Sequence, residues 1–398
     1  MDAFMLKGLI EKLANKYCET AIMNRKYLHM YPELSFEEYN TAAFVKKQLD
    51  ELHVAWQPMT ETGVVAIIKG DLPSEKVVAL RADMDALPIY EKNTTSYISL
   101  NEGVMHACGH DVHTASLLGT AYILQSLRSE FSGTVKLIFQ PGEERIPGGA
   151  SLMIKEGVLI NPSPSAIIGQ HIMPALQKGK IAICPGKFMA SMDELYVKIK
   201  GRGGHGAQPH LTIDPVVIAS HIIIALQQIV SRKAHPGKPT VLSFGKVKAD
   251  GFINIIPEEV YMEGTFRAMD EEWREMAHKE MVKIATGVAE SMGGSCEFKI
   301  IKGYPYLHNE EKLTGELRIY ATNYLGEENI VTEGAWMAAE DFAYYTHQID
   351  GFFYLLGTGK SDGKPDFSLH SPYLDIDESV FEISTGLMAY LALKKLGN

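Results

Sequence analysis

Nine consecutive residues, Met105-His106-Ala107-Cys108-Gly109-His110-Asp111-Val112-His113, carry a cysteine, three histidines and an aspartate. These are side chains that bind borderline metals such as zinc. Cys108 and His110 have only glycine between them. That is too close for a C-x-x-C knuckle but suits two side chains on one loop aimed at one ion. A histidine-rich loop around a buried thiol would look the same, since free cysteine is often a small core residue. Other segments tilt the balance. Asp83 and Asp85 close one β-branched run, and Glu143-Glu144 follow another through a Pro-Gly turn. His171 follows a third run, and His370 stands in Ser368-Leu369-His370-Ser371-Pro372. Adjacent carboxylates in extended chain point in different directions. One of the Glu143-Glu144 pair could therefore ligate while the other takes a proton from water. Metal-assisted hydrolysis needs both roles, a Lewis acid that lowers the pKa of water to about 7 and a base beside it. A solvated acidic turn is the alternative for that pair taken alone.

The elements that would carry these groups read as α/β. Between Gly63 and His171, short β-branched runs at 64–69, 77–81, 134–139 and 166–168 alternate with a helical stretch at 114–127. That helix would set Leu117, Leu118, Ala121, Leu124 and Leu127 on one face. Such alternation predicts a mostly parallel central sheet, and ligands of open α/β sheets gather beyond the carboxyl ends of the strands. From Pro185-Gly186 the pattern changes. Leu195, Val197 and Ile199 alternate with polar residues, and Asp214-Pro215 opens a helix running to about Arg232. Strands at 241–247 and 260–267, a helix at 271–292 and a strand at 296–301 complete β-α-β-β-α-β, a ferredoxin-like layer. The expected division is a metal-bearing domain of residues 1–185 and 303–398, with 186–302 inserted as a lid.

Bulk properties narrow the function classes. A chain of 398 residues usually needs two cores. The net charge of −11 argues against a nucleic-acid footprint. Cys18, Cys108, Cys184 and Cys296 show no framework spacing, which fits a reducing compartment. Residues 1–26 lack the apolar stretch of a signal peptide, with Leu6, Leu9, Ile10 and Leu13 at helical spacing instead. The apolar run at 216–226 includes Ser220 and His221 and reads as too short for a membrane span. A cytoplasmic protein with no membrane partner is expected.

Taken together, these segments resemble the dinuclear metallo-aminoacylase and carboxypeptidase family, in its amidohydrolase subgroup of hippurate hydrolases, auxin-conjugate hydrolases and N-acetyl-diaminopimelate deacetylases. The likeness spans nearly the whole chain. It runs from Leu28-His29-Met30-Tyr31-Pro32-Glu33-Leu34-Ser35 through 80–88, 105–111 and 140–144. It continues with Gly203-Gly204-His205-Gly206-Ala207, Ala339-Glu340-Asp341-Phe342 and Leu369-His370-Ser371. The resemblance implies two divalent ions, zinc or manganese with cobalt a third option, held by Cys108, His110, Glu144, His171 and His370, with Cys108 bridging. It implies Glu143 as general base and acid, Asp85 as the group orienting a ligating histidine, and His205 as a stabiliser of the tetrahedral intermediate, within its own subunit or across a dimer. Asn254 and Arg267 match positions that hold a substrate carboxylate. Asp83 stands where other branches carry a ligating histidine, so its role stays open. The implied substrate is a small N-acyl amino acid, with a dipeptide as the alternative. A homodimer or higher homo-oligomer through the lid is also implied. Val112 and Gln170 depart from the subgroup pattern. Two rivals stand outside this chemistry: a thiol amidase using Cys108 as nucleophile, and a noncatalytic binding protein on the same scaffold.

Overall fold

The computed structural model describes residues 3–359 and 367–398. The chain divides into two compact units, one of residues 1–186, 308–334 and 341–398, the other of residues 187–307 and 335–340.

The first unit is built on an eight-stranded sheet. Its centre is four parallel strands in the order Ser132–Gln140, Leu72–Asp83, Ala166–Gln177 and Asp350–Gly359. Antiparallel neighbours flank them, Gly63–Lys69 against Ser132–Gln140 on one side and Ile181–Ile183 against Asp350–Gly359 on the other. The central strands are buried along most of their length, as expected when helices cover a parallel sheet. Helices Ala3–Met30, His110–Ser126 and Val380–Leu396 pack on one another within this core. Leu6 and Ile10 are buried there, while Leu9 is partly exposed.

Two boundaries differ from the sequence expectation, and both matter. The helix expected from residue 114 begins at His110. Gly109 stands before it with φ +84° in the left-handed region, and its absent Cβ would collide with the Ile172 side chain. Glycine is thus required between Cys108 and His110, and His110 sits on the first turn of a helix rather than on a loop. The third run extends to Gln177, so His171 lies inside a strand rather than after one. Gln170, its neighbour, faces the other way and accepts a hydrogen bond from the Tyr354 hydroxyl at 2.8 Å. Val112 is fully buried in the helix. Neither departure from the subgroup pattern removes a group from the ligand cluster.

The second unit is a four-stranded antiparallel sheet, in the order Thr240–Lys248, Glu259–Ala268, Asp193–Lys200 and Ser295–Lys302. Helices Pro215–Gln228 and Glu271–Ser291 fill the β-α-β-β-α-β sequence, giving the ferredoxin-like order. Asp214 caps the first helix through Val216 N at 2.8 Å. Ile218, Ile222 and Leu226 face the core of this unit, while Ile224 is 70% exposed. With its continuation the helix runs over Pro215–Lys233, 19 residues, and is long and apolar enough by length and composition to cross a membrane. The sequence reading took the helix to about Arg232 but counted only residues 216–226 as its apolar run. The helix carries straight through Ser220 and His221.

Candidate metal centre

Strand ends and helix starts of the first unit bring the predicted ligands together. His110 stands at the head of its helix, His171 on the strand Ala166–Gln177, and Glu143-Glu144 on the turn after Ser132–Gln140. His370, from the far end of the chain, has φ +65°, and its backbone N–H donates to Ala107 O at 2.7 Å. Five groups of donors among the described residues have their ligand-capable atoms within 4.8 Å of one another, and three consist only of the predicted ligands and base: Cys108, His110 and His171; Cys108, Glu144 and His370; His110, Glu143 and Glu144. Cys108 belongs to two of the three. Its Sγ lies 3.4 Å from His171 Nε2, and His370 Nε2 lies 3.3 Å from Glu144 Oε1.

The neighbours of each imidazole decide which nitrogen faces the cluster. His171 Nδ1 donates to Ile172 O at 2.8 Å, leaving Nε2 with a lone pair. His110 Nδ1 lies 3.1 Å from Asp85 Oδ1, and its buried Nε2 has no hydrogen-bond partner among the described residues. The other oxygen of Asp85 accepts from Ser35 Oγ at 2.6 Å and from Glu144 N at 2.9 Å. One carboxylate therefore fixes both a histidine and the backbone of the Glu143-Glu144 turn.

Asp83 has a different task. Its Oδ2 accepts from Arg81 Nη1 at 2.6 Å and its Oδ1 from His113 Nδ1 at 2.6 Å. His113 Nε2 must then be the acceptor for Ile172 N at 2.9 Å, beside His171. Both oxygens of Asp83 and both nitrogens of His113 are thereby engaged, and together they brace the His171 strand. Arg81 reaches in the opposite direction as well, donating to Asp341 Oδ1 at 2.7 Å and to Gln140 Oε1 at 2.9 Å. Asp341 N in turn donates to Glu143 Oε1 at 3.4 Å. Arg81, Gln140 and Asp341 lie in segments that carry the resemblance, but no role was read for them from the sequence. An arginine inside a buried β-branched run was the available signal. Tyr345 packs against Phe342 in the core, and His106 is buried.

Electrostatics favour a cation here. Burial disfavours charge on His110, but Asp83 and Asp85 outweigh it and raise the imidazole to about 10. Carboxylates that hold a proton so firmly would hold a divalent ion in its place. Burial, then Glu144 and Glu143, push the Cys108 thiol well above its ordinary range. A nucleophilic thiol needs the opposite environment, whereas a cation would stabilise the thiolate directly. The open His110 Nε2, the soft sulfur and the surrounding carboxylates and imidazoles fit a borderline divalent metal.

In the second unit, Ile255 pairs with His205, and Gly206 N donates to Asn254 O at 2.8 Å, so His205 and Asn254 are neighbours. Arg267 lies on the strand Glu259–Ala268. Burial holds its guanidinium below the usual range, and no hydrogen bond or ion pair to it is formed among the described residues.

Comparison with known proteins agrees with this reading of the fold. The profile of Peptidase family M20/M25/M40 matches residues 79–394. The chain is 43% identical over 309 residues to an N-acyl-L-amino acid amidohydrolase of Geobacillus stearothermophilus, covering 77% of this chain and 83% of that one. It is 37% identical to thermostable carboxypeptidase 1 of Saccharolobus solfataricus, over 97% of this chain and 98% of the relative. The crystal structure of the Bacillus subtilis YXEP protein, described as a dinuclear metal binding peptidase from the M20 family, superposes with a TM-score of 0.81 at 36% identity. That match covers 96% of this chain and 99% of the other. The chain belongs to Peptidase family M20/M25/M40.

Proposed function

We propose that this protein is a metal-dependent amidohydrolase that cleaves the amide between an acyl group and the amino nitrogen of an amino acid. The observation that carries the reading is the sharing of donors. Cys108 sits in two donor groups at once, and Glu143 stands with His110 and Glu144 in the third. Cys108, His110, Glu144, His171 and His370 would hold two divalent ions, zinc or manganese by donor type with cobalt as a third option. Such ions supply Lewis acidity toward the acyl carbonyl and toward water.

Glu143 takes the proton from the attacking water and returns it to the departing amine, the role of a carboxylate buried beside the reacting atoms. Asp85 holds His110 in one tautomer. His205 is assigned to the developing oxyanion, where a donor contributes most in the transition state. Asn254 and Arg267 are assigned to the α-carboxylate, and a guanidinium that feels Asp193 but forms no ion pair among the described residues is available for that bidentate contact. The apolar outer face of the helix Pro215–Lys233, with Val217 and Ile224 exposed, is assigned to a homodimer contact. The cysteines are all free, in keeping with a cytoplasmic setting.

A dipeptidase or carboxypeptidase activity is the second reading, favoured by the carboxypeptidase relative. A panel of N-acetyl and N-benzoyl amino acids against dipeptides, assayed with zinc and with manganese, separates the two. Glu143→Ala should keep its metal content and lose turnover. Near-parent hydrolysis by that variant would remove Glu143 from the mechanism.

A further inference from the structure

Residues 33–38 span the end of the first segment of the family resemblance, at Ser35, and the three residues after it, and carry none of the roles assigned above. Glu38 closes this segment, immediately before the helix Tyr39–Glu51, and is fully buried. A carboxyl removed from water needs its oxygens satisfied. Oε1 of Glu38 accepts from Phe36 N at 2.9 Å and from Gly142 N at 2.7 Å, and Oε2 accepts from Thr62 Oγ1 at 2.6 Å. Gly142 is the residue before Glu143, and it lies 104 positions from Glu38 in sequence.

The same contact is shaped sterically. Gly142 has φ +57°, and a Cβ there would collide with the Phe36 ring. Phe36 itself has φ +70°, a rare conformation for a bulky residue, kept only where the surroundings impose it. One residue earlier, Ser35 Oγ donates to the Asp85 oxygen that also accepts Glu144 N. The turn is therefore gripped on both sides of Glu143, at Gly142 by Glu38 and at Glu144 by Asp85 with Ser35.

We propose that Glu38 is a positioning residue for Glu143: its carboxyl fixes the 141–144 turn through the Gly142 N–H and so sets where the base presents its oxygens. This rests on the reading of Glu143 as the base. The bonds of Glu38 run to backbone N–H groups and to Thr62, not to the five candidate ligands. Its loss should thus disturb proton transfer rather than ion binding.

The test compares Glu38→Ala, Glu38→Gln and Glu38→Asp in the metal-loaded enzyme. Steady-state kinetics, metal content and amide hydrogen exchange of peptides spanning 140–146 are measured. Glu38→Ala should lower kcat on the order of 10²-fold, the cost of misplacing a catalytic group by about 1 Å. Metal content should stay at the parent value and exchange at 140–146 should quicken. Glu38→Gln keeps an oxygen for both N–H groups and can donate to Thr62 Oγ1, so it should remain within about fivefold of the parent. Glu38→Asp falls one methylene short and should behave like the alanine variant. If Glu38→Ala does not fold, the glutamine and aspartate variants decide. Parent exchange at 140–146, parent kcat in Glu38→Asp, or a glutamine variant as slow as the aspartate one would each overturn the proposal. Glu143→Ala separates the two readings. If it keeps turnover, the base assignment falls whatever Glu38 does. If it is inactive while Glu38→Asp runs at the parent rate, only the role of Glu38 falls.

Discussion

Asp85→Asn is the substitution that most directly tests how the candidate centre is assembled. Asp85 is 1% exposed and uses both oxygens, Oδ1 toward His110 Nδ1 at 3.1 Å and Oδ2 toward Ser35 Oγ and Glu144 N. Asparagine has the same shape but only one acceptor oxygen. If that oxygen faces His110, the new NH2 meets the Glu144 N–H, donor against donor. If the amide is flipped, the NH2 faces His110 Nδ1 and forces the proton onto Nε2, closing the lone pair that would bind an ion. Each orientation leaves one buried conflict, worth about 1–3 kcal/mol. With 1.4 kcal/mol per decade, that is a loss of roughly 5- to 150-fold in metal affinity, in line with the 10- to 100-fold typical of groups that orient ligating histidines. The assay is chelator competition on parent and variant under identical conditions, with elemental analysis after dialysis. Ser35→Ala serves as the control that loses a hydroxyl and keeps the charge. An Asp85→Asn enzyme that binds its ions within about twofold of the parent would refute the tautomer argument.

Arg81→Met should destabilise the first unit by about 3–5 kcal/mol in urea unfolding, because it strands the buried Asp83 and Asp341 carboxylates. A loss below about 1 kcal/mol would mean that the network bears little weight. Gly109→Ala should weaken metal binding through both the left-handed φ and the clash with Ile172, and adding Ile172→Ala should recover part of the loss by relieving the clash alone. In the second unit, burial alone would raise Asp193, but hydrogen bonds from His278 and Arg274 outweigh it and hold the carboxyl below its usual range. A depressed folded pKa contributes stability that is complete above the ordinary aspartate range of about 4 and is lost as pH falls from there through the lower folded value. Denaturant titrations at falling pH should therefore show a steeper loss for the parent than for Asp193→Asn.

The second unit was legible because its signals are local. Alternation at Leu195, Val197 and Ile199 and the Asp214-Pro215 start needed no distant partner to be read. The same holds for three of the four central parallel strands, whereas Asp350–Gly359 was not read from the sequence. The start of the helix at His110 was missed because Gly109 serves the close approach of Ile172, a residue from another strand. Glu38 and Arg81 were passed over for a related reason. Glu38 meets Gly142, and Arg81 meets Asp341 some 260 positions away, and nothing in the local pattern signals such pairings. The family resemblance named candidate ligands, a candidate base and Asp85 as an orienting group, but not the rest of what holds them. Buried hydrogen bonds between remote segments supply that, and a single sequence does not display them.

His370 hangs on Ala107 by one backbone hydrogen bond, across a gap that contains the entire second unit. During synthesis four of the five candidate donors leave the ribosome long before the last. The strand Asp350–Gly359, which pairs with Ala166–Gln177, is equally late. Closing contacts of that span is slow. A nascent chain paused between residues 172 and 369 would hold an incomplete donor set, and ion loading at full affinity would wait for the C-terminal segment to dock.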